Sequence, residues 1–346
     1  MAKKKRKTQG HPAGAGATRA PAAPPKEPAG EGAGLSLRAV LAALALLAIT
    51  GVGAYLIFGT QAEQGEGGAS PAQDLRVPWL DPDGVTPIVG SVDVNPADES
   101  IWLSTNTGMF RVARGSDRPE RVTGNLTTDQ GSGEISPELV IRFRGPDELI
   151  ASGHPPAGSA LPPALGLIAS DDAGRTWNGV SEVGRSDFHA IQTARGDVVV
   201  AGLFGEAAIS VSRDGGRTFE TRTPPEPLID LEVDPGNPQR LIGSNAAGLI
   251  GSTDGGESWR QREPVPNVRF SWPASDALFR IEPGGPVKFS SDGGETWEDR
   301  GSTGGEPQAL FARDAEQLHV VLLDGTIKAS EDGGRSWTDR VVPPPA

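Results

Sequence analysis

Of 346 residues, 47 are Gly and 31 are Pro, aromatic side chains make up 5%, and seven of these are Trp. So much turn-forming sequence suits many short strands and argues against a helical bundle or a doubly wound α/β fold. The absence of cysteine removes disulfides, zinc–cysteine sites, iron–sulfur ligation and thiol nucleophiles together. Residues 1–38 carry eight Lys/Arg and two Glu, a local charge of +6, which leaves −19 on the rest of a chain whose total is −13. An acidic body of this kind is a poor partner for nucleic acid, and none is expected.

In chain order, Lys3-Lys4-Lys5-Arg6-Lys7 is followed by an Ala/Pro/Gly-rich stretch. It holds too little apolar side chain to offset the entropy of ordering, so residues 1–35 read as a disordered basic tail. From Ala39 to Phe58 runs an uncharged apolar segment, AVLAALALLAITGVGAYLIF. A helix of twenty residues spans about 30 Å, the thickness of the bilayer hydrocarbon. Residues 36–58 are therefore expected to form a transmembrane signal-anchor helix. The apolar run is longer than the core of a cleaved signal peptide. Positive charge on its N-terminal side predicts a cytoplasmic tail and an extracytoplasmic body. Residues 59–75 read as a polar, flexible linker, and 76–346 as the extracytoplasmic domain.

The body repeats. Five octapeptides align without gaps: SDDAGRTW from Ser170, SRDGGRTF from Ser212, STDGGESW from Ser252, SSDGGETW from Ser290 and SEDGGRSW from Ser330. Successive starts lie 42, 40, 38 and 40 residues apart. Each octapeptide sits between two strand-like runs, so it is expected to be a hairpin turn. Asp172, Asp214, Asp254, Asp292 and Asp332 are expected to accept hydrogen bonds from backbone N–H groups of their own turns. Gly174, Gly216, Gly256, Gly294 and Gly334 permit positive φ, and Trp177, Phe219, Trp259, Trp297 and Trp337 supply apolar area against the sheet. A carboxylate repeated five times in equivalent places is a structural staple, not five active sites.

Each forty-residue unit contains four strand-like runs, the signature of a propeller blade. Six units are apparent, at about 87–123, 137–182, 187–223, 227–263, 267–300 and 307–341. The first has a degenerate turn, GMFRVARGSDRPERV, and the second is lengthened by an insertion. An all-β, six-bladed propeller is expected, with seven blades as the alternative and residues 75–86 left to pair with the last blade or cover an end.

Two insertions, 124–136 and 154–164, are expected as loops on the face opposite the repeated turns, which makes that face the expected binding surface. Inward-pointing candidates near it are Arg142, Asp187, His189, Asp230, Arg269 and Ser271. His154, Asp187, His189 and Arg269 are the expected binding set for a protein or cell-envelope glycan. Asp187 and Glu206 are the catalytic candidates, and with Asp129 and Glu134 they are the carboxylates available for a two-carboxylate glycosidase. The chain has few histidines and no spaced metal-ligand motif, so neither a metal nor another cofactor is expected.

The octapeptides match the Asp-box (BNR) motif, Ser-x-Asp-x-Gly-x-Thr-Trp. Residues 87–341 resemble the bacterial Asp-box propellers, a superfamily that holds sialidases, xyloglucanases, sortilin-like receptors and photosystem assembly factors. The segments 152–177 and 186–192 (SDFHAIQ) look most like a group of membrane-tethered Asp-box proteins commonly labelled glycosyl hydrolases. The resemblance implies a six- or seven-bladed propeller, and a fold does not carry activity with it. Sialidases use a Tyr nucleophile, and the only tyrosine here, Tyr55, lies in the apolar segment, so the usual sialidase mechanism has no nucleophile. The expectation is a membrane-anchored binding or scaffold propeller, with a two-carboxylate glycosidase or an assembly factor as alternatives. The topology predicts that protease added to intact cells or spheroplasts digests the body and spares the basic tail. A protected body would overturn it.

Overall fold

The computed structural model describes residues 88–343, apart from 136–138, 156–157 and 204–205. The expected tail, membrane span and linker lie outside these residues, as does the 75–86 segment. Among the described residues no helix is long and apolar enough to cross a membrane.

The described chain is all β and forms six blades. Five are four-stranded antiparallel sheets built from consecutive strands, and the second carries two strands more. The first strands of the blades are Val89–Val94, Leu139–Phe143, Phe188–Ala194, Asp230–Val233, Arg269–Ala274 and Pro307–Ala312. Each packs beside the first strand of the next blade, and the last packs beside the first, so these six strands ring a central channel. Val89 N–H donates to Gln308 Oε1 across the closure, and one apolar cluster joins Val92, Leu103 and Phe110 to Ala309, Val321 and Ile327. The ring is thus closed by packing between two blades that are each continuous in sequence.

The repeated turns fold as expected, with nearly the same bonds in each. The Ser hydroxyl donates to Asp Oδ1 at 2.7–2.9 Å and accepts from the Gly N–H at 2.7–2.9 Å. Two residues past that glycine, a Thr or Ser donates its N–H to Oδ1 and its hydroxyl to Oδ2. The glycine has a second reason beyond its positive φ. It butts against the preceding blade: a Cβ on Gly216 would lie 2.1 Å from Leu167 Cδ2, and one on Gly256 would lie 2.7 Å from Ile209 Cδ1. The repeated turn therefore also packs against the neighbouring blade.

The 124–136 insertion departs from its expectation as a loop. It is a β-hairpin, Gly124–Thr128 and Gly131–Ile135, added to the outer edge of blade two and running parallel to Thr176–Ser181. Its Gly and Ser content suggests a loop, but those small residues make room. A Cβ on Gly131 would lie 2.5 Å from Ala160 O, and one on Gly133 would lie 3.3 Å from Leu161. The 154–164 insertion folds down over the hairpin, and Leu161 is buried with Leu126, Ile135 and Trp177.

Hydrogen bonds from Thr176 and Thr218 hold the Asp172 and Asp214 carboxyls down at about 2, and Ser258 and Ser336 do the same for Asp254 and Asp332. Burial opposes the shift at Asp292, yet the bonds from Thr296 still bring it to about 2. Carboxyls lowered in the folded state stabilise it above their unfolded values, and the contribution is lost as pH falls through the folded ones. The melting temperature is expected to fall steeply between about pH 4 and pH 2. Asp254→Ala should melt below the parent at pH 7, by a margin that shrinks at pH 2. A constant margin would show that the carboxylate is not the source of the loss.

Candidate functional site

The turns between first and second strands lie at the same end as the repeated turns: Ala173, Gly215, Gly255 and Gly333 each donate their N–H to a carbonyl there, at Asp147, Asp197, Gln239 and Glu316. The opposite end holds the connections between blades and those between second and third strands. His154, Asp187 and His189 all lie at this opposite end.

The placement of these three follows from one buried tie. Ser152, at the end of strand Leu149–Gly153 in blade two, is fully buried, and its Oγ accepts from Phe188 N–H at 3.0 Å at the start of blade three. Phe188 points into the core against Phe219, with ring centroids 5.2 Å apart. Strand alternation turns the residues on either side of it, Asp187 and His189, to the opposite side. His189 is also the extra residue of a bulge between Phe188 and Ala190, a device that re-aims a side chain. His154 follows Ser152 by two residues, and Leu165 N–H to Gly153 O closes the neck of its loop.

Three residues from two blades thus converge. His189 Nε2 lies 2.9 Å and His154 Nε2 lies 4.0 Å from the same oxygen, Asp187 Oδ2, and the imidazole centroids are 6.2 Å apart. All three side chains are about one-third exposed. Asp187 Oδ1 is buried without a hydrogen-bond partner among the described residues. Two imidazoles and a carboxylate can exchange hydrogen bonds with a polar ligand, and they are also a donor set that can hold a metal ion.

The other sequence candidates go elsewhere. Arg269 belongs to the channel: its Nε donates to Gln308 O at 2.8 Å and its Nη1 to Ile229 O at 3.3 Å, bracing blades four and six. Glu206 is exposed in the connection that follows Val198–Leu203. Asp129, at the hairpin tip, lines an open groove of about 290 Å³ with Gln130, Glu182 and Arg185. Glu134 is exposed opposite Asn125, whose N–H reaches Arg175 O in a repeated turn, so it lies at the wrong end to face Asp187. The set Asp129, Glu134, Asp187 and Glu206 is therefore not one cluster.

The channel itself is charged. Arg142 Nε donates to Ile191 O and Gln192 Oε1, and its Nη1 donates to Val92 O. Its guanidinium also faces Asp93 at 3.9 Å and Glu232 at 3.7 Å. Asp230 Oδ2 accepts from Phe270 N–H, and Ser271 Oγ accepts from Ala312 N–H. Asp93 and Glu232 are not among the sequence candidates, and the signal for them is alternation: DLEV places Glu232 on the face of Asp230, and SVDV places Asp93 on the face of Ser91. Burial pushes the Glu232 carboxyl up to about 8; Arg142 opposes this, and the negative Asp230 and Asp93 add to it. Asp93 and Asp230 are also raised, by burial first.

No protein-family model matches the chain, and no curated protein matches it in sequence. Among solved structures it is similar to YCF48 from Cyanidioschyzon merolae, at 14% identity and a TM-score of 0.44 over 73% of this chain and 84% of that one. It is also similar to YCF48 bound to D1 peptide, at 18% identity and a TM-score of 0.47 over 78% and 86%. A third is the GH74 xyloglucanase from Xanthomonas campestris, at 16% identity and a TM-score of 0.45, which matches 73% of this chain but 38% of its own. These are likenesses of fold.

A carboxyl raised in the folded state binds its proton more tightly there, so its contribution is full below the unfolded value and is lost as pH rises through the folded one. Between about pH 4.5 and 8 the Glu232 site should lower stability steadily. Glu232→Gln, which keeps an acceptor for Gln192, is expected to raise the melting temperature at pH 8 by several degrees and to change it little at pH 5. An equal change at both pH values would show that Glu232 does not carry this proton.

Proposed function

We propose that the chain is a membrane-anchored, extracytoplasmic Asp-box propeller that binds a protein or a cell-envelope glycan on the face opposite its repeated turns, without chemical turnover. The observation that carries this reading is the convergence of His154, Asp187 and His189 from two blades, held by the buried Ser152–Phe188 tie yet one-third exposed. A rigid scaffold that presents polar side chains at a loop-rich end is suited to hydrogen-bonded recognition. Among the described residues, the cluster has one carboxylate between two imidazoles. Glycoside hydrolysis with two carboxyls needs a facing pair, about 5–5.5 Å apart for retention or about 6.5–9.5 Å for inversion. The membrane anchor rests on the uncharged stretch from Ala39 to Phe58, and the extracytoplasmic side on the basic cluster before it.

The test is an envelope-glycan array, with cross-linking to envelope proteins and a panel of chromogenic glycosides, on the full chain in detergent. His189→Ala and Asp187→Asn are expected to weaken capture by about tenfold or more, equivalent to about 1.4 kcal/mol, with the melting temperature held. Arg217→Ala, in a repeated turn at the other end, should leave capture unchanged. Equal capture by all three variants would move the ligand off this face. Glycoside turnover lost in Asp187→Asn would make the protein an enzyme.

A further inference from the structure

We infer that His154, Asp187 and His189 form a binding site for one divalent transition-metal ion of the Zn²⁺ type. The inference stands apart from what the face as a whole recognises.

Three observations carry it. The first is donor type and convergence. One ligand atom from each residue lies within 4.8 Å of the other two, although the residues span 36 positions of sequence and two blades. A tetrahedral ion with bonds of about 2.0–2.1 Å holds its ligand atoms about 3.3 Å apart. The distances of 2.9 and 4.0 Å to Asp187 Oδ2 straddle that value. Closing the set takes a shift of about an ångström by the His154 side chain, and that residue stands at the mouth of a loop.

The second observation is charge. Among the described residues, the ion-pair partners of Asp187 are the two imidazoles and no Arg or Lys. The other oxygen, Oδ1, is buried without a hydrogen bond from any described residue. A carboxylate so placed faces two imidazoles and, among the described residues, no guanidinium or ammonium group, so it lacks a permanent positive charge beside it. A dication supplies it and offsets the desolvation of the buried oxygen.

The third is preorganisation. Asp187 and His189 flank the fully buried Phe188, His154 follows the buried Ser152 by two residues, and the Phe188 N–H to Ser152 Oγ bond joins the two. The site is therefore set on the ends of packed strands, which hold ligand geometry better than free loops. Two imidazoles with one carboxylate suit zinc, copper, nickel or iron, whereas calcium and magnesium prefer shells of oxygen alone. Three protein ligands at a partly exposed site leave a coordination position open to water or to a ligand oxygen. His154 and Asp187 fit no metal-ligand spacing, and the packing of blade two on blade three brings their donor atoms together.

The experiment is a Co²⁺ titration of the full chain in detergent, stripped with EDTA and exchanged into chelator-free buffer, followed by Zn²⁺ displacement. One equivalent per chain is expected, with the visible d–d absorption of low-coordinate Co²⁺, displaced by Zn²⁺ and not by Mg²⁺ or Ca²⁺. His154→Ala and the near-isosteric His189→Gln should each weaken binding by about tenfold or more, while His11→Ala leaves it intact. Zn²⁺ should raise the melting temperature of the parent and of His11→Ala, but not of the two site variants. Metal-free melting temperatures close to the parent's would show that both variants are folded. Absence of stoichiometric binding, which would leave only an Asp187–His189 ion pair, overturns the inference. So does binding that survives in both site variants.

Discussion

Each blade begins with a strand that has a partner on one side only. Its other edge faces the channel and the preceding blade, and every second N–H along it needs an acceptor in a place that water barely reaches. Side chains of the preceding blade supply them. In blade two, Leu139, Ile141 and Phe143 donate to Ser104 Oγ, Ser91 Oγ and Asp93 Oδ2, all from blade one. Phe188 donates to Ser152, Phe270 to Asp230, and Ala312 to Ser271. These bonds set the register of one blade against the next. They also explain why a channel between apolar sheets contains acids: the buried Asp93 and the half-buried Asp230 are there to accept backbone hydrogen bonds. The guanidiniums of Arg142, beside Asp93 and Glu232, and of Arg269, beside Asp230, oppose the rise that burial imposes on these acids.

The channel network and the repeated turns act at different radii. Inside, side chains satisfy the open edges of the first strands. Farther out, turn glycines pack against side-chain methyls of the preceding blade, as Gly216 does at Leu167. The candidate site depends on the inner set. Ser152 accepts from Phe188, and its buried position aligns the end of blade two with the start of blade three, where the two histidines and Asp187 meet. A mouth built on such a tie can hold polar side chains in place without a loop having to fold around the ligand first.

Much of this architecture is legible in the chain. The five octapeptides fix the period, and four strand-like runs per period fix the blades, because strand alternation and turn chemistry are local. What is not local is less legible. The 124–136 hairpin looks like a loop because Gly131 and Gly133 are small for the sake of Ala160 and Leu161, some 28 residues away. Arg269 looks like a ligand-binding cation until its donors are found on Ile229 and Gln308 carbonyls of two other blades. Asp93 and Glu232 are ordinary acids in sequence and become channel groups only once the ring is closed. His154, Asp187 and His189 were each visible as candidates, but their shared oxygen was not, since no spacing rule links position 154 to position 187.

Amide hydrogen exchange tests the dependence of the fold and the site on these inter-blade acceptors most directly. The N–H groups of Ile141, Phe143, Phe188, Phe270 and Ala312 lie on open strand edges, yet they are predicted to exchange as slowly as those in the middle of the blades. Ser152→Ala should speed exchange at Phe188 and leave Phe270 unchanged. Exchange of all five at the rate of the exposed turns, or a Phe188 amide indifferent to Ser152, would contradict the account.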